Sequence, residues 1–348
     1  MQIDELIIDE GLPAIDAMQR LEETGRRILF IAPGGKLKAV VSDSDVRKFI
    51  LRGGDLSGPV SAVANHSPKW LPLEKRGEAK AFLARHSIDA VPLLDKTGCM
   101  VDIVFTGEEQ GVGARRLLQM PVVIMAGGLG TRLYPYTKIL PKPLIPVGEV
   151  PIIERVIQSF RAFGCERFTL VVNYKKNMIK GYFAEVEKDY TLQYVDEEAP
   201  LGTGGGLCLL KGQMDEPFFL TNCDTLLNAD YADIARFHQK NENDITMVCA
   251  MKQFTIPYGV VELGQDGAFS EISEKPQMNF LTNTGVYLVQ PQVLGHIADG
   301  VSQGFPDIID QCRQRGGRVG VYPVAEASWM DMGQMEELDE MRRKFEQN

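Results

Sequence analysis

Apolar positions along this chain follow two rhythms, and the way they alternate predicts the architecture. Between Leu12 and Thr24 the residues Ile15, Met18 and Leu21 share one helical face. From Ile152 to Phe163 the same spacing returns at Ile153, Val156, Ile157 and Phe160, and Gly164 stands where a helix-ending glycine belongs. Met178 to Lys188 and Met335 to Gln347 read as further helices, the last one charged and amphipathic. Short apolar runs interrupt them: Val122 to Met125, Phe168 to Val172 and Phe218 to Leu220, with Thr191 to Val195 as another strand. Runs of that length read as central strands buried on both faces. Strands alternating with helices predict an α/β fold, a Rossmann-like and mainly parallel sheet with ligands at the carboxyl ends of its strands.

The first third carries a duplication at a shift of 64 positions. The helix at Leu12 to Thr24 has its counterpart at Arg76 to His86. The strand Arg27 to Ile31 matches Val91 to Asp95, Gly34 matches Gly98 in a turn, and Leu37 to Ser42 matches Val101 to Thr106. One copy is too small to bury a core, so the two are expected to pack as one pseudo-symmetric unit. Gly107 to Gln119, with Gly111, Gly113 and two arginines, reads as a linker. Two domains are therefore expected, residues 1–115 and 120–348.

Composition narrows the functional classes. Of 348 residues, 44% are hydrophobic and 24% charged, as in a soluble globular protein. The net charge of −10 argues against a nucleic-acid footprint, so an anionic ligand needs a local cluster of cations or a metal. Six cysteines stand at 99, 165, 208, 223, 249 and 312, with no C-x-x-C pair and only four histidines. That pattern speaks against a zinc site and suits reduced thiols in the cytoplasm. No signal peptide and no apolar run of about 18 residues is read, so no membrane span is expected.

The candidate chemistry is concentrated after the Val122 strand. Gly127, Gly128 and Gly130, without Cβ atoms, let backbone amides approach a ligand closely, and Ala126 before them is a further nucleotide-binding candidate. Thr131 and Arg132 add a hydroxyl and a guanidinium fork suited to phosphate oxygens. Lys142 is held between two prolines. The stretch is not a P-loop, because Thr131-Arg132 replaces Gly-Lys-Ser/Thr. Nor is it a dinucleotide fingerprint, because Leu133 stands where a small residue is needed. A plain glycine turn ending a core strand explains the glycines but not Arg132 and Lys142 together.

Gly-Gly-Leu-Gly-Thr-Arg-Leu followed by Pro-Lys-Pro resembles the signature of the sugar-1-phosphate nucleotidyltransferases. Glu197-Glu-Ala-Pro-Leu-Gly-Thr203 resembles that family's second nucleotide loop. The resemblance puts Gly202 and Thr203 against the base and makes Glu197 the base-reading side chain. A carboxylate only accepts hydrogen bonds, and guanine offers two adjacent donors, so GTP is favoured over UTP or dTTP. The competing reading leaves Glu197 and Glu198 as solvated acids. Asp224, at the exit of a buried strand with Thr225 following, suits magnesium, the competing reading being a helix-capping aspartate. Trp329-Met-Asp-Met-Gly333 resembles the family's Trp-x-Asp-x-Gly, making Asp331 the second carboxylate. On the sugar side, Tyr258-Gly-Val260 and Glu274-Lys-Pro276 resemble family motifs. They assign Gly259 and Glu274 to sugar hydroxyls and Lys275 to the sugar phosphate, and Asn283 starts a further sugar-side strand.

The duplicated first third resembles a CBS-domain pair, a family that often binds adenine nucleotides between its copies. The matching residues are Ser42 for phosphate and Asp45 for ribose hydroxyls, with Thr106 and Glu109 in the second copy. Ligand-dependent regulation and a ligand-free scaffold for a homodimer are both open. The combined resemblance implies an NTP and a sugar 1-phosphate giving an NDP-sugar and pyrophosphate with Mg2+, and points to hexose- or hexosamine-1-phosphate guanylyltransferases. Two rivals are a silent nucleotide-sensing regulator and a transferase for a phospho-head group.

Overall fold

A computed structural model describes residues 3–86, 88–106 and 118–346. The chain divides into two compact units, residues 1–114 with 251–281, and residues 115–250 with 282–348. Pattern reading did not separate 251–281 from its neighbours, because the long strands Ile245–Thr255 and Gln277–Val289 run through both junctions.

In the first unit the duplication is visible as two three-stranded sheets. One contains Ile7–Ile8, Ile28–Ile31 and Ala39–Ser42, the other Leu71–Pro72, Ala90–Leu94 and Met100–Phe105. Each has a parallel first pair and an antiparallel second pair. The two hairpins close differently: Ile31 faces Ala39, whereas Leu94 faces Met100 across a shorter turn, and a register shift follows Leu93. Gly34 and Gly98 both adopt the left-handed turn conformation, with φ of 60° and 83°. A bridge between Lys36 and Cys99 joins the turns of the two copies.

The first helix runs Ala14–Thr24, later than the periodicity suggested, because Pro13 stands at its N-cap with ψ of 140°. Its buried face is Ala14, Ala17, Met18 and Leu21, with Ile15 only half-buried. The matching segment opens as a 3-10 turn, Leu73–Glu78, before the helix Ala79–His86. Glu109 and most of the expected linker lie outside the described residues. The 251–281 segment carries a two-stranded hairpin, Val260–Leu263 against Phe269–Ser273.

The second unit is built on a seven-stranded sheet. Its order is Thr191–Asp196, Arg167–Val172, Val122–Met125, Phe218–Asn222, Gln277–Val289, Ile245–Thr255, Val319–Ala325. The first four run parallel, and Gln277–Val289 pairs antiparallel with Phe218–Asn222. Val122 and Ile124 face one buried cluster and Val123 and Met125 the other, which is why the run shows no polar alternation. The helix Ile152–Arg161 buries Ile153, Val156, Ile157 and Phe160 on the first face, each worth about 1.5–3 kcal/mol. Gly164 follows with φ of 87°. The helix Phe305–Gln314 covers the opposite face with Phe305, Ile308 and Cys312. The helix Met335–Glu346 packs Leu338 and Met341 back into the first cluster. Among the described residues no helix is long and apolar enough to cross a membrane.

Candidate active site

The parallel strands deliver the candidate residues to one end of the sheet. Ala126 follows Val122–Met125, with its amide donating to the Val171 carbonyl at 2.8 Å. Asn173 follows Arg167–Val172, Glu197 follows Thr191–Asp196, and Cys223 and Asp224 follow Phe218–Asn222. A sheet with its strands in one direction can do nothing else: their carboxyl ends share an edge.

The glycine loop is open where a ligand is expected and tight where it meets the protein. A Cβ on Gly128 would meet nothing within 4 Å, and Thr131 and Arg132 are exposed. A Cβ on Gly127 would come 2.5 Å from Glu197 Oε2. Gly130 is left-handed, with φ of 64°, and a Cβ there would lie 2.8 Å from Thr137 and 3.2 Å from Lys142. The 3-10 turn Lys142–Leu144 carries Lys142 inward.

Lys142 forms an ion pair with Asp224, with both side chains 12% exposed. Burial works against the Lys142 ammonium, but the charge and hydrogen bond of Asp224, with Cys223 and Asp331, together outweigh it, and Lys142 holds its proton above the ordinary lysine range. Asp331 arrives from far along the chain. The strands Thr225–Leu227 and Trp329–Asp331 pair antiparallel with Thr225 opposite Asp331, and the Met332 amide donates to the Asp224 carbonyl at 3.0 Å. That register sets the two carboxylates side by side. Burial, and then the Asp224 charge, lift the Asp331 carboxyl to about 7. Gly333 has no room for a side chain: a Cβ would stand 2.7 Å from Asp331 Oδ2, 3.2 Å from Glu337 Oε2 and 3.4 Å from Arg132 Nη1. Arg132, Lys142, Asp224 and Asp331 therefore belong to one cluster.

Glu197 is 4% exposed, wedged between Gly127 and Gly206. Burial pushes its carboxyl up to about 7, only partly offset by the Leu201 amide. Among the described residues its Oε1 has no hydrogen-bond partner. Its backbone is pinned, with its amide donating to Val172 and its carbonyl accepting from Asn173 Nδ2 at 2.9 Å. Asn173 escaped the sequence reading, since one amide side chain after a strand carries no pattern.

Other expected residues have different surroundings. Gly202 and Thr203 are engaged by the segment before the helix Phe305–Gln314. A Cβ on Gly202 would lie 2.5 Å from the Gln303 carbonyl, the amides of Gly204 and Gly205 donate to that carbonyl at 3.1 Å, and Thr203 Oγ1 accepts from the Phe305 amide at 3.2 Å. This loop is glycine-rich because another backbone lies against it. Asn283 donates to the Tyr287 hydroxyl at 2.6 Å and accepts from the Gly285 amide at 3.1 Å. Gly259, Glu274 and Lys275 flank the open end of the hairpin of the first unit. A Cβ on Gly259 would be 3.0 Å from Glu274 Oε2, and Lys275 is left-handed with φ of 47°. In that same unit Ser42 and Asp45 satisfy each other as the cap of the helix Asp43–Leu51. The Ser42 hydroxyl donates to Asp45 Oδ2 at 2.6 Å and accepts from the Asp45 amide at 3.2 Å.

Mannose-1-phosphate guanyltransferase of Aspergillus oryzae is 32% identical over 229 residues, 62% of this chain and 61% of that protein. Mannose-1-phosphate guanylyltransferase of Mycobacterium tuberculosis is 30% identical over 226 residues, 63% of each. This chain thus spans a little over three-fifths of the length of these relatives. The crystal structure of HddC from Yersinia pseudotuberculosis shares the fold with a TM-score of 0.52 and 24% identity, covering 65% of this chain and 99% of that one. Residues 121–348 match the family model described as nucleotidyl transferase, and this chain belongs to that family.

Proposed function

We propose that the chain is a magnesium-dependent guanylyltransferase that joins GTP to a sugar 1-phosphate and releases pyrophosphate. The observation that carries the reading is the convergence of Lys142, Asp224, Asp331 and Arg132 beside the glycine loop. Two adjacent carboxylates, one lifted to about 7 by burial and its neighbour's charge even with Lys142 paired to that neighbour, make a hard-oxygen pair that fits Mg2+. Among the described residues no group of three or more histidine, cysteine or acidic side chains is placed to hold a metal. Asp224 and Asp331 would hold the ion, with substrate phosphates and water as its other ligands. When bound, it would neutralise charge on the α-phosphate.

The chain's own groups account for the rest. A phosphate oxygen of the sugar 1-phosphate bonds to the α-phosphorus as the bond from that phosphorus to the bridging oxygen breaks, and pyrophosphate leaves. The attacking group is already an anion, so no general base is required. Catalysis is positioning and charge stabilisation. The backbone from Ala126 to Thr131 would hold the triphosphate, Arg132 the leaving pyrophosphate, and Lys142 would reduce repulsion between the two anions. Gly259, Glu274 and Lys275 in the first unit carry the family's sugar-side motifs, as does Asn283 in the second, and their assignment to the sugar phosphate rests on that resemblance. Glu197, with Gly202 and Thr203 in the loop behind it, is assigned to guanine, a choice supported by the guanylyl-transferring relatives. Those relatives make mannose 1-phosphate the first sugar to try. Pyrophosphate release from a grid of nucleoside triphosphates and mannose, glucose and glucosamine 1-phosphates tests the reading. Release only with UTP or dTTP overturns the base assignment, and release with none overturns the activity.

For residues 1–115 we infer a CBS-like pair serving a homodimer in the cytoplasm, supported by the duplicated sheets and by six unpaired cysteines. An adenine nucleotide at Ser42 and Asp45 would have to replace their mutual hydrogen bonds. Titration with AMP and ATP, together with light scattering, tests both the ligand and the dimer.

A further inference from the structure

The short helix Tyr136–Ile139 lies between Arg132 and Lys142 in sequence, yet no role has been given to it. Its one completely buried side chain is Thr137, at 0% exposure. The Thr137 hydroxyl donates to the Gly130 carbonyl at 2.8 Å, and its methyl is the group that a Cβ on Gly130 would strike. Gly130 is the left-handed residue at which the glycine loop turns into Thr131 and Arg132. Because the peptide is planar, the fixed carbonyl also sets the direction in which the Thr131 amide points.

A second strut arrives from after the Arg167–Val172 strand. The Tyr174 hydroxyl donates to the Thr137 carbonyl at 3.1 Å, and its amide donates to the Gly127 carbonyl at 3.3 Å. Lys175, left-handed at φ 51°, spends its ammonium on the Lys138 and Ile139 carbonyls at 2.5 and 2.7 Å. A lysine in that conformation is strained, and strain persists only where the surroundings over-determine it. The result is a closed chain of contacts from Gly127 through Tyr174 and Thr137 to Gly130.

We propose that Thr137 and Tyr174 are positioning residues that hold the glycine loop in its phosphate-accepting shape, an inference that rests on the nucleotidyl-transfer reading of that loop. The hydroxyl and the methyl of Thr137 have separable tasks. Valine keeps the methyl and loses the bond to Gly130; serine does the reverse. The Gly130 carbonyl also accepts from the Leu133 amide at 3.0 Å, so losing the hydroxyl loosens it without orphaning it.

The test uses the full chain with Thr137→Val, Thr137→Ser and Tyr174→Phe. Expected for Thr137→Val is a fall of about tenfold in kcat/KM for the triphosphate, with KM for the sugar phosphate unchanged. Serine restores at least a third of the loss on a logarithmic scale, and Tyr174→Phe gives a smaller loss in the same direction. Amide hydrogen exchange at residues 127–133 accelerates in Thr137→Val while that of Val122–Met125 does not. The exchange measurement needs no turnover, so it decides the positioning claim even if the wild type transfers no nucleotide. Unchanged exchange in the loop, or equal losses for both substrates with a lower Tm and no rescue by serine, overturns it.

Discussion

Glu197→Gln is the sharpest test of the base assignment. The free carboxyl, buried between two glycines, titrates near 7. Guanine presents two adjacent donors, and only the ionised carboxylate accepts both. The binding-competent fraction of the free chain is then about a tenth at pH 6 and nearly complete at pH 8. Apparent affinity scales with that fraction, so GTP should bind roughly tenfold more weakly at pH 6 than at pH 8. Replacing the carboxylate by an amide exchanges one charge-assisted acceptor for a donor, a loss of about 1.5–3 kcal/mol, or ten- to a hundredfold in kcat/KM for GTP. Stability moves the other way. An acid whose folded pKa is raised keeps its proton while the unfolded chain releases it, so wild-type stability falls as pH climbs from about 4.5 to about 7. The glutamine variant escapes that fall and should melt higher than wild type at pH 8. The assay is calorimetric GTP binding at pH 6, 7 and 8 in both proteins; the variant carries the phosphates' own titration and serves as the control. Parallel pH profiles, or an undiminished preference for GTP in the variant, would refute the reasoning.

The remaining expectations concern the metal pair, the second glycine loop and the first unit. Asp224→Asn should lower pyrophosphate release by about a hundredfold or more with an unchanged circular dichroism spectrum, as a lost charge-stabilising group does. Asp331→Asn should also lose turnover. In EDTA at pH 8 it should nevertheless raise Tm, because the wild-type carboxyl, held near 7, makes the fold less stable as pH rises from about 4 to about 7; an equal or lower Tm counts against the like-charge account. Gly202→Ala forces a side chain onto the Gln303 carbonyl at φ 78° and should destabilise by about 1–3 kcal/mol, read as a fall in Tm of roughly 5 °C. Ser42→Ala removes the helix cap and should cost about 1 kcal/mol in a denaturant titration.

Much of the second unit is written locally. Val122 to Met125 is apolar without interruption because both faces of a central strand are covered, and Gly127, Gly128, Gly130, Arg132 and Lys142 lie within sixteen positions in one exceptional pattern. Period and composition therefore determined the sheet, the edge at which its parallel strands end and the glycine loop that follows Val122–Met125. They also determined the 64-residue duplication, since Gly34 and Gly98 mark equivalent turns. Other features depend on partners distant in sequence, and only the tertiary structure decided them. Thr225 opposite Asp331 joins two carboxylates 107 positions apart through a strand pairing that no local rule announces. Gly202, Gly204 and Gly205 read from the sequence as a nucleotide loop, and the structure adds that the Gln303 backbone lies against them and that Thr203 accepts from the Phe305 amide. Ser42 and Asp45 read from the sequence as ligand groups, and only the structure shows the hydroxyl bonded to the carboxylate as the cap of a helix. Sequence records which chemical groups are available; whether a group is free for a ligand or already engaged by the protein depends on which distant backbone folds beside it.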